Sequence, residues 1–69
     1  MRIAKIILSL LAEKPLRWTD LEKQTTKVSP TYARFRATLQ WLYEKGYITK
    51  LGRGKYTITE KGAELIKII

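Results

Sequence analysis

The 69-residue sequence contains no cysteine and no histidine, and it has only four glycines and two prolines. The lack of cysteine excludes disulfide bonds and thiolate zinc sites, and the lack of histidine removes the commonest general base and metal ligand. Acidic residues are also scarce, with six against 14 lysines and arginines. No glycine-rich phosphate-binding motif and no recognisable pair of catalytic carboxylates is present. We therefore predict no enzyme activity, no catalytic residues, no metal and no cofactor.

Hydrophobic residues make up 45% of the sequence, and this supports one small core, so we predict a single domain over residues 1–69. The net charge of +8 indicates a polyanionic partner, and it favours nucleic acid over an anionic membrane. The apolar segment 6–12 is too short to span a bilayer, and no small-residue cleavage pattern follows it. We interpret this segment as a core helix of a cytoplasmic protein that does not bind membranes.

Two helices are predicted in the first half of the chain. A set of apolar residues recurs at helical spacing and predicts helix 1 over residues 2–13 (Ile3, Ile6, Ile7, Leu10 and Leu11). Pro15 ends this helix, and residues 16–17 are expected to be extended. A T-x-x-E spacing that begins at Thr19 is typical of a capping box, so helix 2 is predicted over about 20–25, with a turn at 25–28.

The second half predicts a helix, a β-hairpin and a final helix. Ser29 is a suitable N-cap and Pro30 a suitable first residue for helix 3, which is expected to reach Lys45 and end at Gly46. Two runs rich in β-branched and aromatic residues, 47–51 and 55–59, flank the glycine-containing segment 52–54 and predict the hairpin. Thr59 then caps a helix over about 60–68.

This order of elements is that of a winged helix-turn-helix, a mainly α fold with a small β-hairpin. In sequence the predicted order is helix 1, a short strand, helices 2 and 3, the hairpin and helix 4. We call the hairpin the wing. In this fold, helix 3 and the wing are the elements presented to a DNA duplex.

Helix 3 has a predicted core face and a predicted outer face. Phe35, Leu39 and Leu42 share the core face at 100° per residue. The outer face carries small and polar residues with a flanking arginine and tryptophan (Ala33, Arg36, Ala37 and Gln40, beside Arg34 and Trp41). The alanines allow close approach of the backbone, and arginine and glutamine match the edges of guanine and adenine in the major groove. The alternative is that both arginines are ordinary solvated charges, and Trp41 is interpreted as structural.

Arg53 lies between Gly52 and Gly54 at the tip of the wing, where a tight loop requires glycine but has no need of arginine. We predict that it contacts a phosphate or the minor groove, the alternative being a solubilising charge. Further phosphate contacts are predicted on the wing strands and near the start of helix 3. The complete set of predicted DNA-binding residues is Lys27, Ser29, Thr31, Arg34, Arg36, Gln40, Lys50, Arg53 and Lys55.

Three segments carry a resemblance to a known family: SPTYARF at 29–35, LQWLYEKGYI at 39–48 and YTITEKG at 56–62. They resemble archaeal winged helix-turn-helix proteins, which include small chromatin-associated DNA binders and transcriptional regulators. The resemblance covers nearly the whole chain and implies the same fold and double-stranded DNA as the partner. Chromatin-type members dimerise through a long C-terminal coiled coil, but the sequence reaches only Ile69, so we expect no such coiled coil here.

We predict that the protein binds double-stranded DNA as a small transcriptional regulator or architectural protein. Helix 3 (30–45) would enter the major groove, and the tip 52–54 would contact phosphate or the minor groove. The alternative is a protein-interaction module within a larger assembly, in which Trp41 and the alanines of helix 3 pack against another chain. Leu8 lies outside the main apolar stripe of helix 1, and residues 65–69 are rich in apolar side chains. Both features would leave apolar surface exposed in a monomer, so we predict a homodimer through helices 1 and 4.

Overall fold

A computed structural model of the protein describes residues 2–27 and 32–69. Its helices and strands are, in chain order, α1 (Arg2–Glu13), β1 (Leu16–Arg17), α2 (Trp18–Thr26), α3 (Tyr32–Glu44), β2 (Ile48–Lys50), β3 (Lys55–Ile58) and α4 (Glu60–Ile68). This architecture confirms the predicted winged helix-turn-helix order, including the short extended segment before α2. The predicted N-cap of helix 3, at Ser29 and Pro30, lies outside the described residues.

The strands of the described chain form an antiparallel sheet in the order β1-β3-β2. Ile48 lies opposite Ile58 and Lys50 opposite Tyr56 in the β2–β3 pair, while Leu16 lies opposite Tyr56 on the other side of β3. The hairpin is therefore shorter by one residue at each outer end than the sequence predicts. Its central strand β3 is held on both sides, which ties the wing to the segment between α1 and α2.

Helix α1 lies in the middle of the core and packs against α2, α3, α4 and β3. Its bounds agree with the prediction, but its buried surface is broader than the predicted stripe. Leu8 is completely buried, whereas Ile6 and Leu10 are only partly buried. The expectation that Leu8 lies on a free surface was wrong, because the helix has neighbours on several sides and not on one.

Helix α2 begins earlier than predicted, and the proposed capping box at Thr19 was wrong. The N-cap is Arg17, which has extended backbone angles (φ −76°, ψ 154°) and makes no side-chain capping hydrogen bond. The N–H of Trp18 donates to the carbonyl oxygen of Gly54 at 2.8 Å, so the wing loop satisfies the first donor of the helix. The helix continues to Thr26, where a turn was expected, and Thr25 is buried in its last turn.

The C-terminal end of α3 agrees with the prediction that Gly46 stops it. Gly46 has a φ of +82°, in the left-handed region that favours glycine. Its N–H donates to the carbonyl of Tyr43 at 3.1 Å, and the N–H of Tyr47 donates to the carbonyl of Leu42 at 2.9 Å. These two bonds form a Schellman motif, which satisfies the last carbonyl groups of the helix and turns the chain into β2.

Helix α4 is capped by Thr59, as predicted. The Thr59 hydroxyl accepts from the N–H of Gly62 at 3.2 Å and donates to the carbonyl of Gly46 at 2.6 Å. Lys61 adds a bond from its Nζ to the carbonyl of Lys45 at 2.9 Å. The start of α4 is thus joined to the end of α3. Gly62 is buried at this junction, and a Cβ there would meet the carbonyl of Tyr47.

Among the described helices, none combines the length and the apolar character that crossing a bilayer requires.

Candidate nucleic-acid interface

The outer face of α3 is exposed, as the sequence predicts. Phe35, Leu39 and Leu42 are buried in the core, and their burial fixes the rotation of the helix about its axis. The residues opposite them are all exposed (Ala33, Arg34, Arg36, Ala37 and Gln40). The helix therefore presents a solvent-facing ridge, whose highest line we define as the crest: Ala33, Ala37, Gln40 and Glu44.

Arg34 and Arg36 lie on opposite sides of this crest. They are two residues apart, so their directions differ by about 160° across the exposed face. Arg36 and Tyr43, seven residues apart, lie on the side of α3 that faces the wing, where Arg36 contacts Trp18 and Tyr43 contacts Lys50. Arg34 belongs to the other side, together with Trp41 seven residues later. The small side chains at the crest thus have one cation on each flank.

Arg36 stacks on the aromatic side chain of Trp18, a contact that the sequence did not predict. Its guanidinium carbon lies 5.4 Å from the centroid of the Trp18 ring, a cation–π distance. The stacked face of the guanidinium is covered, but its N–H donors lie at its edge, in the plane of the group. Arg36 remains exposed, so these donors can bond a planar acceptor such as a phosphate or a guanine edge.

Trp18 also contacts the wing loop. In addition to the 2.8 Å backbone hydrogen bond from Trp18 to Gly54, the Cβ position of Gly54 lies only 3.3 Å from Cδ1 of the Trp18 ring. Gly54 has a φ of +65°, so glycine is favoured there on conformational grounds as well. The half-buried indole therefore lies between the tip of the wing and Arg36 of α3. The signal in the sequence was a tryptophan at the start of a short polar helix, but its partners are distant along the chain.

Lys50 occupies the gap between the wing and the C-terminal half of α3. Its Nζ lies 5.1 Å from the centroid of the Tyr43 ring and 6.0 Å from that of Tyr56. The two tyrosine rings meet edge to face, with centroids 6.5 Å apart. Tyr43 is 40% exposed. Lys50 is thus an exposed cation held over aromatic rings beside α3.

The remaining cations of the wing are exposed, and they have a further cationic neighbour, Arg17, that the sequence did not predict as a site residue. Arg53 lies in the loop and Lys55 begins β3, both on the surface. Lys55 is paired with Arg17 across the β1–β3 ladder, and Arg17 is exposed too. From the sequence, Arg17 was expected only to be extended, because strand register cannot be read from composition. Lys27 is exposed at the end of α2, whereas Ser29 and Thr31 lie outside the described residues.

Trp41 lies on the far side of α3 from the wing. Its ring is 5.5 Å from that of Tyr47, and Lys61 approaches the other ring of this pair, with Nζ 5.0 Å from the Tyr47 centroid. Trp41 is 36% exposed. This packing bears out the interpretation of Trp41 as a residue that contacts a neighbouring element.

A comparison with known families matches residues 1–69 to the winged helix-turn-helix family. The protein belongs to the winged helix-turn-helix family. This membership indicates DNA binding in general, and the family is typically non-enzymatic. In winged helix-turn-helix terms, α3 is the recognition helix and the β2–β3 hairpin is the wing. Neither the curated proteins nor the solved structures gave a match to the chain.

Proposed function

We propose that the protein, as one domain over residues 1–69, binds double-stranded DNA as a small transcriptional regulator or architectural protein. The recognition helix would lie in the major groove, and the tip 52–54 would contact phosphate or the minor groove. The observation that carries this proposal is the position of Trp18 between Arg36 and Gly54, because it joins the recognition helix and the wing into one basic surface. The resemblance to archaeal regulators and chromatin proteins supports the same two roles.

The shape of the recognition helix supports docking by its crest. Ala33 and Ala37 project little from the backbone, so the helix can approach the base edges closely. Gln40 follows them on the crest and has the amide that pairs with adenine in the major groove. Glu44 ends the crest with a negative charge, which phosphates repel. The first three turns of α3 are therefore the part that would enter the groove.

We assign different roles to the cations on this surface. Arg36 is preorganised on Trp18 and can offer two donors to the O6 and N7 of guanine. Arg34, on the other flank, would bond a phosphate or a base edge across the groove. The other proposed contacts are to phosphates, with Arg53 also within the reach of a minor groove: Lys27, Ser29, Thr31, Lys50, Arg53 and Lys55.

Salt dependence of duplex binding tests the proposal. Four to six phosphate contacts predict that the logarithm of the association constant falls with the logarithm of salt concentration with a slope of about −4 to −5. Fluorescence anisotropy of a labelled duplex measures this slope between roughly 50 and 200 mM KCl, a range over which phosphate contacts lose much of their affinity. Binding that is unchanged over that range, or no binding at low salt, would overturn the proposal.

A substitution separates base reading from charge. Arg36→Ala is expected to cost about 1–3 kcal/mol of binding free energy and to relax base preference, measured by selection from a random duplex pool. Lys5→Gln is the matched control, because Lys5 is exposed on α1 and α1 packs on the core side of α3. Equal losses for both variants would show that only overall charge matters.

We also propose that the protein forms a homodimer through α4. Leu8 is buried and provides no dimer contact, but Ile68 is 80% exposed near the end of α4. A two-fold contact there would place two recognition helices on half-sites about one turn of duplex apart. Sedimentation that shows only an 8.1 kDa species at tens of micromolar protein would remove this proposal. The packing of Trp41 on Tyr47 gives no support to the alternative of a protein-interaction module.

A further inference from the structure

Two positive charges lie directly opposite each other on the outer edge of the sheet. Arg17 of β1 and Lys55 of β3 are Cα partners in the antiparallel ladder, and both residues are exposed. Directly opposed residues in such a ladder project from the same face of the sheet, with Cβ atoms about 5 Å apart. Like charges in this relation destabilise a sheet. Folding alone therefore gives no reason for this pair.

Nothing in the described residues neutralises the two charges. The ion pair that the described chain contains, between Lys67 and Glu64, lies on α4. Asp20 is the nearest acidic residue to Arg17 along the chain, and it forms no ion pair with Arg17 or Lys55 in the described structure. Arg17 is also the N-cap of α2 without a side-chain capping bond, so its side chain has no part in starting that helix. Both cations are left available to an anion from outside.

The pair adjoins the candidate interface along the chain and lies on the outer face of the sheet. Arg17 immediately precedes Trp18, which stacks with Arg36, and Lys55 immediately follows Gly54, which bonds to Trp18. Leu16, Lys50 and Tyr56 share the face of the sheet that meets α3 and the core, so Arg17 and Lys55, one residue away along their strands, project from the opposite face. A duplex on α3 and the tip of the wing would meet this pair where its backbone continues past the tip onto that outer face. Two cations on one face, close together and unneutralised, suit the oxygens of one phosphate group.

We propose that Arg17 and Lys55 form a phosphate-binding site that extends the DNA interface from the tip of the wing onto the outer face of β1 and β3. The proposal rests on the proposed function and adds to it Arg17, a contact absent from the sequence-derived set, and the pairing of Lys55 with it. It has two linked consequences. Removing one cation relieves repulsion in the free protein, and the same change weakens duplex binding. Stability and affinity therefore move in opposite directions.

Arg17→Gln tests both consequences. Its melting temperature in low salt is expected to rise by about 1–4 °C. This gain is expected to shrink in about 0.5 M KCl, because salt at that concentration screens the repulsion between exposed charges within a few ångströms. At about 0.1 M salt its duplex affinity is expected to fall about five- to tenfold, with a salt slope shallower by about 0.9. Lys5→Gln removes the same charge from α1 and is expected to keep the wild-type slope. An affinity loss equal to that of Lys5→Gln would overturn the proposal.

A double variant shows that the stability gain comes from this pair. In Lys55→Gln the repulsion is already absent, so adding Arg17→Gln is expected to give little further rise in melting temperature. Additive gains from the two substitutions would mean that the charges do not interact across the ladder, and a fall in melting temperature with Arg17→Gln would mean that Arg17 has a folding role. Either result contradicts the site.

Sodium pyrophosphate separates this proposal from the proposed function. At matched ionic strength, pyrophosphate is expected to raise the melting temperature of the wild type more than that of Arg17→Gln, whether or not duplex is bound. If wild type fails to bind duplex but shows this difference, the DNA function falls and the phosphate site stands. If wild type binds duplex and pyrophosphate stabilises both proteins equally, the phosphate site falls and the DNA function stands.

Discussion

Replacement of Gly62 by alanine sets helix propensity against packing, and the two arguments predict opposite signs. Gly62 lies inside α4, where alanine is normally more favourable than glycine by about 1 kcal/mol. An added Cβ would lie 2.8 Å from Cγ1 of Ile58 and closer still to the carbonyl oxygen of Tyr47. The Ile58 side chain can rotate away. The carbonyl of Tyr47 cannot, because it accepts from the N–H of Thr59 at 3.1 Å.

The start of α4 would therefore have to move away from the end of α3. Overpacking of this kind costs about 1–3 kcal/mol, and weakening the Thr59 cap costs about 1 kcal/mol more. After subtracting the propensity gain, Gly62→Ala is expected to destabilise the protein by about 2 kcal/mol. A domain of this size has about 3–10 kcal/mol of unfolding free energy, so the loss is a large share of it.

Thermal and urea unfolding followed by circular dichroism measure this effect. The melting temperature of Gly62→Ala is expected to fall by about 8–16 °C. Ala63→Gly, at the neighbouring exposed position, is the control and is expected to cost only about 1 kcal/mol through helix propensity. A melting temperature of Gly62→Ala that equals or exceeds that of the wild type would refute the close approach of α4 to Tyr47.

Three further substitutions test the contacts around the interface and the α4 cap. Trp18→Leu is expected to weaken duplex binding about three- to tenfold, although Trp18 itself does not touch DNA in the proposed complex. This loss should largely vanish in an Arg36→Ala background. Additive losses in the double-mutant cycle would exclude coupling between Trp18 and Arg36. Gly54→Ala should lower the melting temperature less in a Trp18→Leu background than in the wild type, since the added Cβ would lie 3.3 Å from Cδ1 of the Trp18 ring. Equal shifts in the two backgrounds would deny that contact. Thr59→Ala should lower the melting temperature by about 4–8 °C, whereas Thr59→Ser should cause a much smaller drop because serine keeps the capping hydroxyl. Equal drops for the two variants would mean that the hydroxyl does not cap α4.

Features that depend on neighbouring residues were predictable from the sequence. Gly46 and Thr59 fixed the end of α3 and the start of α4, and the glycines of segment 52–54 located the wing loop. The outer face of α3 also followed from helical spacing around Phe35. In each case the determining contact lies within one or two turns of chain, where residue type and spacing are sufficient.

Features that depend on distant residues were not predictable. Thr19 had the spacing of a capping box, but a carbonyl in the wing starts α2 at Trp18 instead. Leu8 fell outside the predicted stripe because amphipathic spacing assumes one buried side, and α1 has neighbours on several. The stacking of Arg36 and the pairing of Arg17 with Lys55 depend in the same way on strand register and helix placement. Local patterns contain no information about either.

The backbone bond between Trp18 and Gly54 has a consequence for how a duplex would be accommodated. It joins the loop of the wing to the helix that precedes α3, so the hairpin has no hinge at that point. If the spacing of grooves and phosphates in a duplex does not fit, the DNA has to bend or change its groove width, at a free-energy cost that depends on its sequence. The protein would then bind duplexes with flexible pyrimidine–purine steps more tightly than duplexes with stiff A-tracts, even where these base pairs contact no side chain.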